Sequence, residues 1–299
     1  MHAHPITVLM ATCNGAPYLE PQLHSITTQS RLPAQMIISD DGSTDETPHI
    51  LRLFANSAPF PVTLIDGPQN GVAQNLLVLQ ARAPAGHVAF ADQDDVWLPD
   101  KLARGADALS RLPANRPALY TARRIITDAN LTPCGTTKHP HRAPCFANAL
   151  VQNIAPGNTI MLNSAAVTLA QSAATALENR DLPFHDWWLY QLLTGAGGQV
   201  IYDRKPALYY RQHGENFLGA GRGVIGRIIR IKTLFDGTYG AWLLAQAKAL
   251  ECSANHLTGP AYKQLCQFLS ASNRRHLRVY RQSLPEQFLL RLALTARRV

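Results

Sequence analysis

Charge is scarce in this sequence: Asp, Glu, Lys and Arg make up 16% of its 299 residues, against 46% hydrophobic residues. That balance excludes an intrinsically disordered chain and describes one that buries a core. Long apolar runs are also missing. No stretch approaches the roughly 18 to 20 apolar residues of a membrane-spanning helix. The opening MHAHPITVLMATCNG lacks a basic region followed by a long apolar one, so it does not read as a signal peptide. The five cysteines (13, 134, 145, 252, 266) are scattered and show no CxxC spacing. This speaks against a disulfide framework or a cysteine zinc site and fits a reducing cytoplasm. Solenoid repeats and low-complexity tracts are absent too. The length suits one large domain or two small ones.

The charge that is present is unevenly placed. Residues 1–221 carry 15 Lys/Arg against 17 Asp/Glu, whereas residues 222–299 carry 13 against three, so the net +8 belongs to the C-terminal quarter. Such asymmetry predicts two regions with different partners, divided near GAGRG (219–223).

Hydrophobic patterning predicts alternating strands and helices over the first hundred residues. ITVLMAT (6–12) reads as a buried strand, MIISDDGSTDET (36–47) opens with a short apolar strand, VTLIDG (62–67) is a third, and HVAFADQDD (87–95) is a fourth ending in acidic residues. Between them, YLEPQLHSITTQ, with Pro21 in its first turn, a segment opened by Ser43 or Thr44 as cap, and GVAQNLLVLQARA read as helices. The alternation predicts βαβ units and a parallel sheet, whose ligands sit at the carboxyl ends of the strands. Beyond residue 117, ALYTARRIITD (118–128) reads as a strand pair and TPCGTTKHPHRAPC (132–145) as a loop. HDWWLYQLLTGAGG (185–198) starts a helix, QVIYDRKPALYYRQHG (199–214) holds one or two strands, and everything after 222 reads as helical.

Two acidic groups fall at predicted strand ends: Asp40-Asp41, and Asp92, Asp94 and Asp95 in FADQDDVWLPDKL. Such carboxylates can hold a hard divalent cation, receive a phosphoryl group, or cap helices. Capping suits Asp40-Asp41 equally well. It suits the triple cluster poorly, because one carboxylate is enough for a cap while three repel one another.

The ordered series ATCNG (11–15), ISDDGSTDET (38–47), NGVAQN (70–75), FADQDDVWLPDKL (90–102), HDWW (185–188) and YRQHGEN (210–216) closely resembles bacterial family 2 glycosyltransferases. More narrowly, it is similar to the rhamnosyltransferase-type members that decorate cell-surface polysaccharides. The resemblance implies the α/β GT-A fold: Rossmann-like, a mostly parallel sheet flanked by helices, in residues 1–221. Residues 222–299 would form a basic, helical C-terminal extension. It implies transfer of a sugar, with inversion, from a dTDP- or UDP-linked donor to a glycan or lipid-linked acceptor, with Mn²⁺ or Mg²⁺. Rhamnose is the sugar expected.

The same resemblance assigns roles. Thr12 and Asn14 would contact the donor, Thr12 through its backbone. Asp40 with Asp41 would bind the base or ribose, and Asn70, Gly71 and Asn75 would form the donor-side loop and helix. Cys13 departs from the aromatic residue common beside that Thr, so base stacking is weakened. Asp94 is the expected metal ligand, with Asp92 on the ribose or on metal-bound water, Asp95 as substitute for either, and His213 completing the shell. Asp186 would be the base that deprotonates the acceptor hydroxyl, although His185 stands where the family usually has Glu. Arg211 would meet the departing diphosphate. His185, Trp187 and Trp188 would face the acceptor, the two indoles as a sugar platform, with Gly157-Asn158-Thr159 alongside.

RGVIGRIIRIKTLF (222–235) sets arginines among isoleucines as a basic amphipathic helix does on an anionic membrane, so peripheral attachment to the inner face of the cytoplasmic membrane is expected. Its alternative is a helix packed on the catalytic domain. A nucleotidyltransferase would need a Gly-rich, basic signature near the N-terminus, which ATCNGAPYLE lacks. Nucleic acid is not expected as a partner, because few aromatics interleave the basic residues of the tail. Asp92, Asp94 and Asp186 together argue against a non-catalytic relative.

Overall fold

The computed structural model describes residues 4–177, 182–213, 236–270 and 277–295. Its first half follows the predicted alternation: β1 (Ile6–Thr12), α1 (Ala16–Thr27), β2 (Gln35–Asp40), α2 (Thr47–Ser57), β3 (Val62–Asp66), α3 (Val72–Ala81) and β4 (His87–Ala91). β1 lies between β2 and β4, and β2 pairs with β3, all in parallel. The register sets Thr12 beside Asp40 and Asp40 beside Asp66, so these strands end along one edge.

The second half continues with β5 (Val96–Trp97), α4 (Lys101–Ser110), β6 (Ala118–Thr127), β7 (Pro133–Thr136) and α5 (Phe146–Ala149). A 3₁₀ turn at Gly157–Thr159 leads into β8 (Met161–Leu162), α6 (Ser164–Ala174), α7 (His185–Gly195) and β9 (Gln199–Arg211). Then come α8 (Thr238–Cys252), α9 (Gly259–Leu269) and α10 (Leu284–Thr295). The strands form one sheet in the order β3-β2-β1-β4-β8-β6-β9-β5, with β7 on β6. β8 runs antiparallel to both β4 and β6, β6 and β9 are parallel, and β5 is antiparallel to β9. The sheet is therefore mixed: parallel where βαβ units build it, antiparallel where short strands join its halves.

Side-chain alternation along β1 explains the two layers of core. Ile6, Val8 and Met10 point to the face covered by α1, α2 and α4, with Leu19, Leu51 and Leu102. Leu9 points to the other, with Leu76 of α3, Val167 of α6 and Trp188 of α7. Leu243 and Leu250 of α8, Leu265 and Phe268 of α9, and Leu290 of α10 belong to this second core. Gln246 of α8 adds a two-way clamp on the Phe184 backbone, accepting from its N–H at 3.2 Å and donating to its carbonyl at 3.0 Å. The described helices of the C-terminal quarter thus pack on α7 and share the core on that side of the sheet. Residues 222–235, with the expected membrane helix and the 219–223 boundary, lie outside the described residues.

Three local expectations change, and one open alternative is decided. Pro21 falls in the second turn of α1, because the helix starts at Ala16. Ser43 and Thr44 do not cap α2, which starts at Thr47. Residues 118–127 form one strand, and its partner β7 comes from the segment read as a loop. Residues 199–211 are likewise one strand.

Candidate active site

The strand ends open into a cavity of about 1410 Å³. Its walls include Thr12 from β1, Asp92 and Asp94 after β4, Arg124 from β6, Asp186 from α7 and His213 after β9. A second wall comes from residues 137–142 and 282–286.

The three carboxylates after β4 converge: one oxygen of each of Asp92, Asp94 and Asp95 lies within 4.8 Å of the others. Asp95 is fully buried, and Asn158 Nδ2 donates to its Oδ2 at 2.7 Å. Its other oxygen, also buried, has no hydrogen-bond partner among the described residues. His213 Nε2 stands 2.8 Å from Asp94 Oδ2, its ring stacked on Tyr18 at 4.3 Å. Burial, then the Asp94 and Asp186 charges, push the Asp92 carboxyl up to about 7. Burial, then the Asp92 and Asp94 charges, hold Asp95 well above the ordinary range. Crowded carboxylates with an orphaned oxygen and an adjacent imidazole fit a hard divalent cation, which relieves their repulsion. Asp92, Asp94 and His213 all reach the cavity. Asp95, expected as a substitute ligand, is held from behind by Asn158.

Beneath the cluster lies a cation that the sequence reading passed over. Lys101, 2% exposed, sits 3.2 Å above the Trp97 ring and donates to the Asn158 carbonyl at 2.7 Å. Burial pushes its pKa well below the lysine range, while Asp95 and Asp92 pull it back.

Asp186 opens α7 and faces the cavity. Its Oδ2 accepts from Gly157 N at 3.0 Å and its Oδ1 from Trp187 N at 2.7 Å. Burial raises its pKa, outweighing these bonds, one from Asn153 and the Arg124 charge. A carboxylate held at two points, with raised basicity, is suited to taking a proton.

On the donor side the paired aspartates divide. Asp40 turns away from the cavity and stitches its own loop: it accepts from Thr12 Oγ1 at 2.9 Å, Ser43 N at 2.9 Å and Ser43 Oγ at 2.6 Å. Asp41 lines the cavity, accepting from Gln69 N at 2.7 Å and Gly71 N at 3.0 Å. The expectation for Asp40 is corrected accordingly: its acceptor oxygens are used by the turn. Asn14 is likewise a latch, accepting from Thr44 N at 2.8 Å through Oδ1 while its own N–H donates to Ser43 Oγ at 2.7 Å. Asn70 is exposed and outside the cavity wall, whereas Asn75 lines it, 1% exposed, donating to the Ser39 carbonyl at 3.0 Å. Gln93 bonds both the N–H and the carbonyl of Cys13, at 2.9 and 3.0 Å, tying the acidic loop to the end of β1.

The expected indole platform does not form. Trp188 is fully buried, and Trp187, 5% exposed, donates Nε1–H to the Ala149 carbonyl at 2.6 Å. Both belong to the core, because α7 is covered on nearly every side. His185 is 3% exposed, 2.9 Å from Gln80 Oε1, and burial lowers its pKa to about 3, so it is a neutral supporting group. Arg211 is also corrected. It is 7% exposed; Nε donates to the Asp94 carbonyl at 3.0 Å and Nη1 to the Ala129 carbonyl at 2.7 Å, fixing the acidic loop from outside the cavity wall. The sequence reading missed Arg124, Lys101 and Gln93. A visible signal was the pair Arg123-Arg124 inside an otherwise apolar strand.

A family model described as Glycosyl transferase family 2 matches residues 7–167. The chain belongs to this family. The matched span contains both acidic loops, and Asp186 and His213 follow it in sequence. Among curated proteins, the chain is 28% identical over 266 residues to the dTDP-rhamnosyl transferase RfbG of Shigella flexneri, an alignment spanning 85% of this chain and 89% of that protein. Among solved structures it is similar to TarS 1–349 of S. aureus in complex with UDP-GlcNAc, with a TM-score of 0.55, 16% identity and coverage of 97% of this chain and 79% of that one. It is also similar to the mannosyltransferase PcManGT of Pyrobaculum calidifontis in complex with GDP-Man and Mn²⁺, with a TM-score of 0.52, 19% identity and coverage of 100% and 88%. At such identities the structures speak for the fold, which is GT-A. This family 2 chain is accordingly a glycosyltransferase, which sets the nucleotidyltransferase alternative aside. No helix among the described residues is long and apolar enough to cross a membrane.

Proposed function

We propose that this glycosyltransferase moves a sugar from a nucleoside diphosphate donor to a hydroxyl of a cell-surface glycan or its lipid-linked precursor, inverting the anomeric centre. The observation that carries the reading is Asp186: a buried-edge carboxylate of raised basicity, held by Gly157 N and Trp187 N and sharing the cavity with Asp92. It takes the acceptor's proton as the oxygen attacks the sugar. Thr12, Asp41 and Asn75 border the half of the cavity where the nucleoside sits. Asp92 and Asp94, with His213 alongside, would hold Mn²⁺ or Mg²⁺, which supplies positive charge for the diphosphate. The Mn²⁺ bound with GDP-Man in PcManGT supports that choice, and the kinship with RfbG supports dTDP-rhamnose as donor. At about 1410 Å³, the cavity exceeds the roughly 300–1,000 Å³ of a small-molecule pocket, leaving room for part of an acceptor.

The test is a panel of nucleotide sugars scored by thermal stabilisation with and without Mn²⁺, followed by transfer assays. dTDP-rhamnose with metal is expected to raise Tm most. Asp186→Asn is expected to lower kcat by about 10²–10⁴-fold while donor binding stays within about twofold. If no nucleoside diphosphate sugar binds with metal present, the reading fails.

A further inference from the structure

We propose that Arg124 is the group that binds the donor's diphosphate, and that it holds this place in β6 opposite a bulge in β9. This rests on the glycosyl-transfer reading above and adds to it a residue that the motifs do not contain.

The backbone comes first. The β6–β9 ladder shifts register between Ala122 and Arg123 and again between Arg123 and Ile125, so Arg124 has no cross-strand partner on β9. The extra residues lie on β9, where Ala207 and Leu208 together stand opposite Arg124, a bulge that bends β9 and raises the local twist. On the other edge Arg124 is held by its backbone alone: its N–H donates to Thr137 Oγ1 at 2.9 Å, and its carbonyl accepts from Thr137 N at 2.9 Å. Its side chain reaches the cavity wall.

The side chain comes second. Arg124 lies with its guanidinium carbon 4.3 Å over the Tyr210 ring, which lines the same cavity. Its Nε is buried and has no hydrogen-bond partner among the described residues. Leaving such a donor unmade is costly, and the cost is removed when an anion arrives. Its neighbours Arg123 and Arg104 are differently placed. Arg123 donates to the Thr137 carbonyl and Thr136 hydroxyl, and Arg104 is paired with Asp100 and Asp203. Arg211 is occupied by two backbone carbonyls.

Third is its position in the field of the site. The Arg124 charge favours the ionised forms of Asp92, Asp95 and Asp186, so it stands among the groups where the reacting centre must lie. In the transfer, a C–O bond forms between the acceptor oxygen and the anomeric carbon, and the acceptor proton passes to Asp186. The anomeric C–O bond to the diphosphate breaks, its electron pair leaving on the diphosphate, which gains one negative charge. A planar guanidinium donates two parallel N–H bonds to phosphate oxygens and offsets that charge as it develops.

The experiment measures binding of UDP or dTDP and of the corresponding phosphate-free nucleoside, with Mn²⁺, to the full-length protein and to Arg124→Ala, Arg124→Gln and Arg124→Lys. In Arg124→Ala and Arg124→Gln the diphosphate is expected to bind about tenfold or more weakly, the nucleoside within about twofold. Arg124→Lys is expected to recover part of the loss, since charge is kept and the fork is not. A loss shared equally by nucleoside and nucleotide would mean a structural role and overturn the proposal. An unchanged diphosphate affinity would also overturn it, including the case where only the acceptor KM rises. Failure of the unaltered protein to bind any nucleotide would instead sink the glycosyl-transfer reading itself.

Discussion

Replacing Asp92 by Asn should make the metal-free protein more stable at neutral pH while removing much of its response to metal. The Asp92 side chain accepts no hydrogen bond among the described residues; only its backbone carbonyl does, from Gln22 Nε2 at 2.8 Å. An isosteric amide therefore forfeits little. What it removes is a carboxylate whose pKa stands at about 7 rather than 3.8, through burial and the Asp94 and Asp186 charges. Because the folded pKa is the higher one, the folded chain binds more protons than the unfolded chain between those values. Stability from this group is complete below about pH 4 and is lost as pH rises through about 7. About three pKa units at roughly 1.4 kcal/mol each set an upper limit of about 4 kcal/mol, reduced by the solvent that reaches Asp92 and by its coupling to Asp94 and Asp95. Urea denaturation of the chelator-treated protein from pH 4 to 8 would read this directly. Wild type should weaken across the range, and Asp92→Asn should weaken less and be the more stable of the two at pH 8. With Mn²⁺ the order should reverse, since a cation rewards the carboxylate. An Asp92→Asn protein less stable than wild type at pH 8 without metal would refute the reasoning.

Two other outcomes follow from the packing of α7. Trp188→Ala should cost about 3–5 kcal/mol, read as a lower urea midpoint with an unchanged slope, because the indole is fully buried in the core that α7 shares with α3 and α8. A surface-like loss below about 0.5 kcal/mol would contradict its core position. The acid limb of the kcat profile should belong to Asp186, displaced upward from an ordinary aspartate by burial, with rate rising as the carboxyl loses its proton. His185, already neutral, should contribute no limb, so His185→Gln should leave the limb in place.

β1, β2 and β4 were legible because each is a short apolar run buried on both faces, and the acidic loops fall where such strands must end; β3, an edge strand with no buried residue, was legible from its apolar and β-branched residues alone. Asp40 and Asp41 were not separable in the same way. Adjacent residues point opposite ways, and the parity that sends Asp41 to the cavity and Asp40 into its own turn is set by the register of β2 against β1. HDWW misled for another reason. A helix covered on nearly all sides loses amphipathic contrast, so two indoles at its start look the same whether they face a ligand or the core. Arg124 and Arg211 show the limit most clearly. Both are strand arginines, Arg124 inside β6 and Arg211 at the end of β9, and their roles depend on which backbone carbonyls lie within reach. β7, at the start of a Pro- and Gly-containing stretch, exists only because β6 offers it an edge.

The 3₁₀ turn at Gly157–Thr159 acts as a ruler between the two halves of the chemistry. Gly157 N holds Asp186, Asn158 Nδ2 holds Asp95, and the Asn158 carbonyl holds Lys101. Proton acceptor and acidic cluster are therefore fastened to neighbouring residues of one short segment, itself pinned by Thr121 Oγ1 against Thr159 Oγ1 at 2.6 Å. Their separation is a property of a single turn of backbone rather than of how helices happen to settle. The cavity wall at 137–142 and 282–286 can therefore be remodelled without retuning the distance between Asp186 and the acidic cluster.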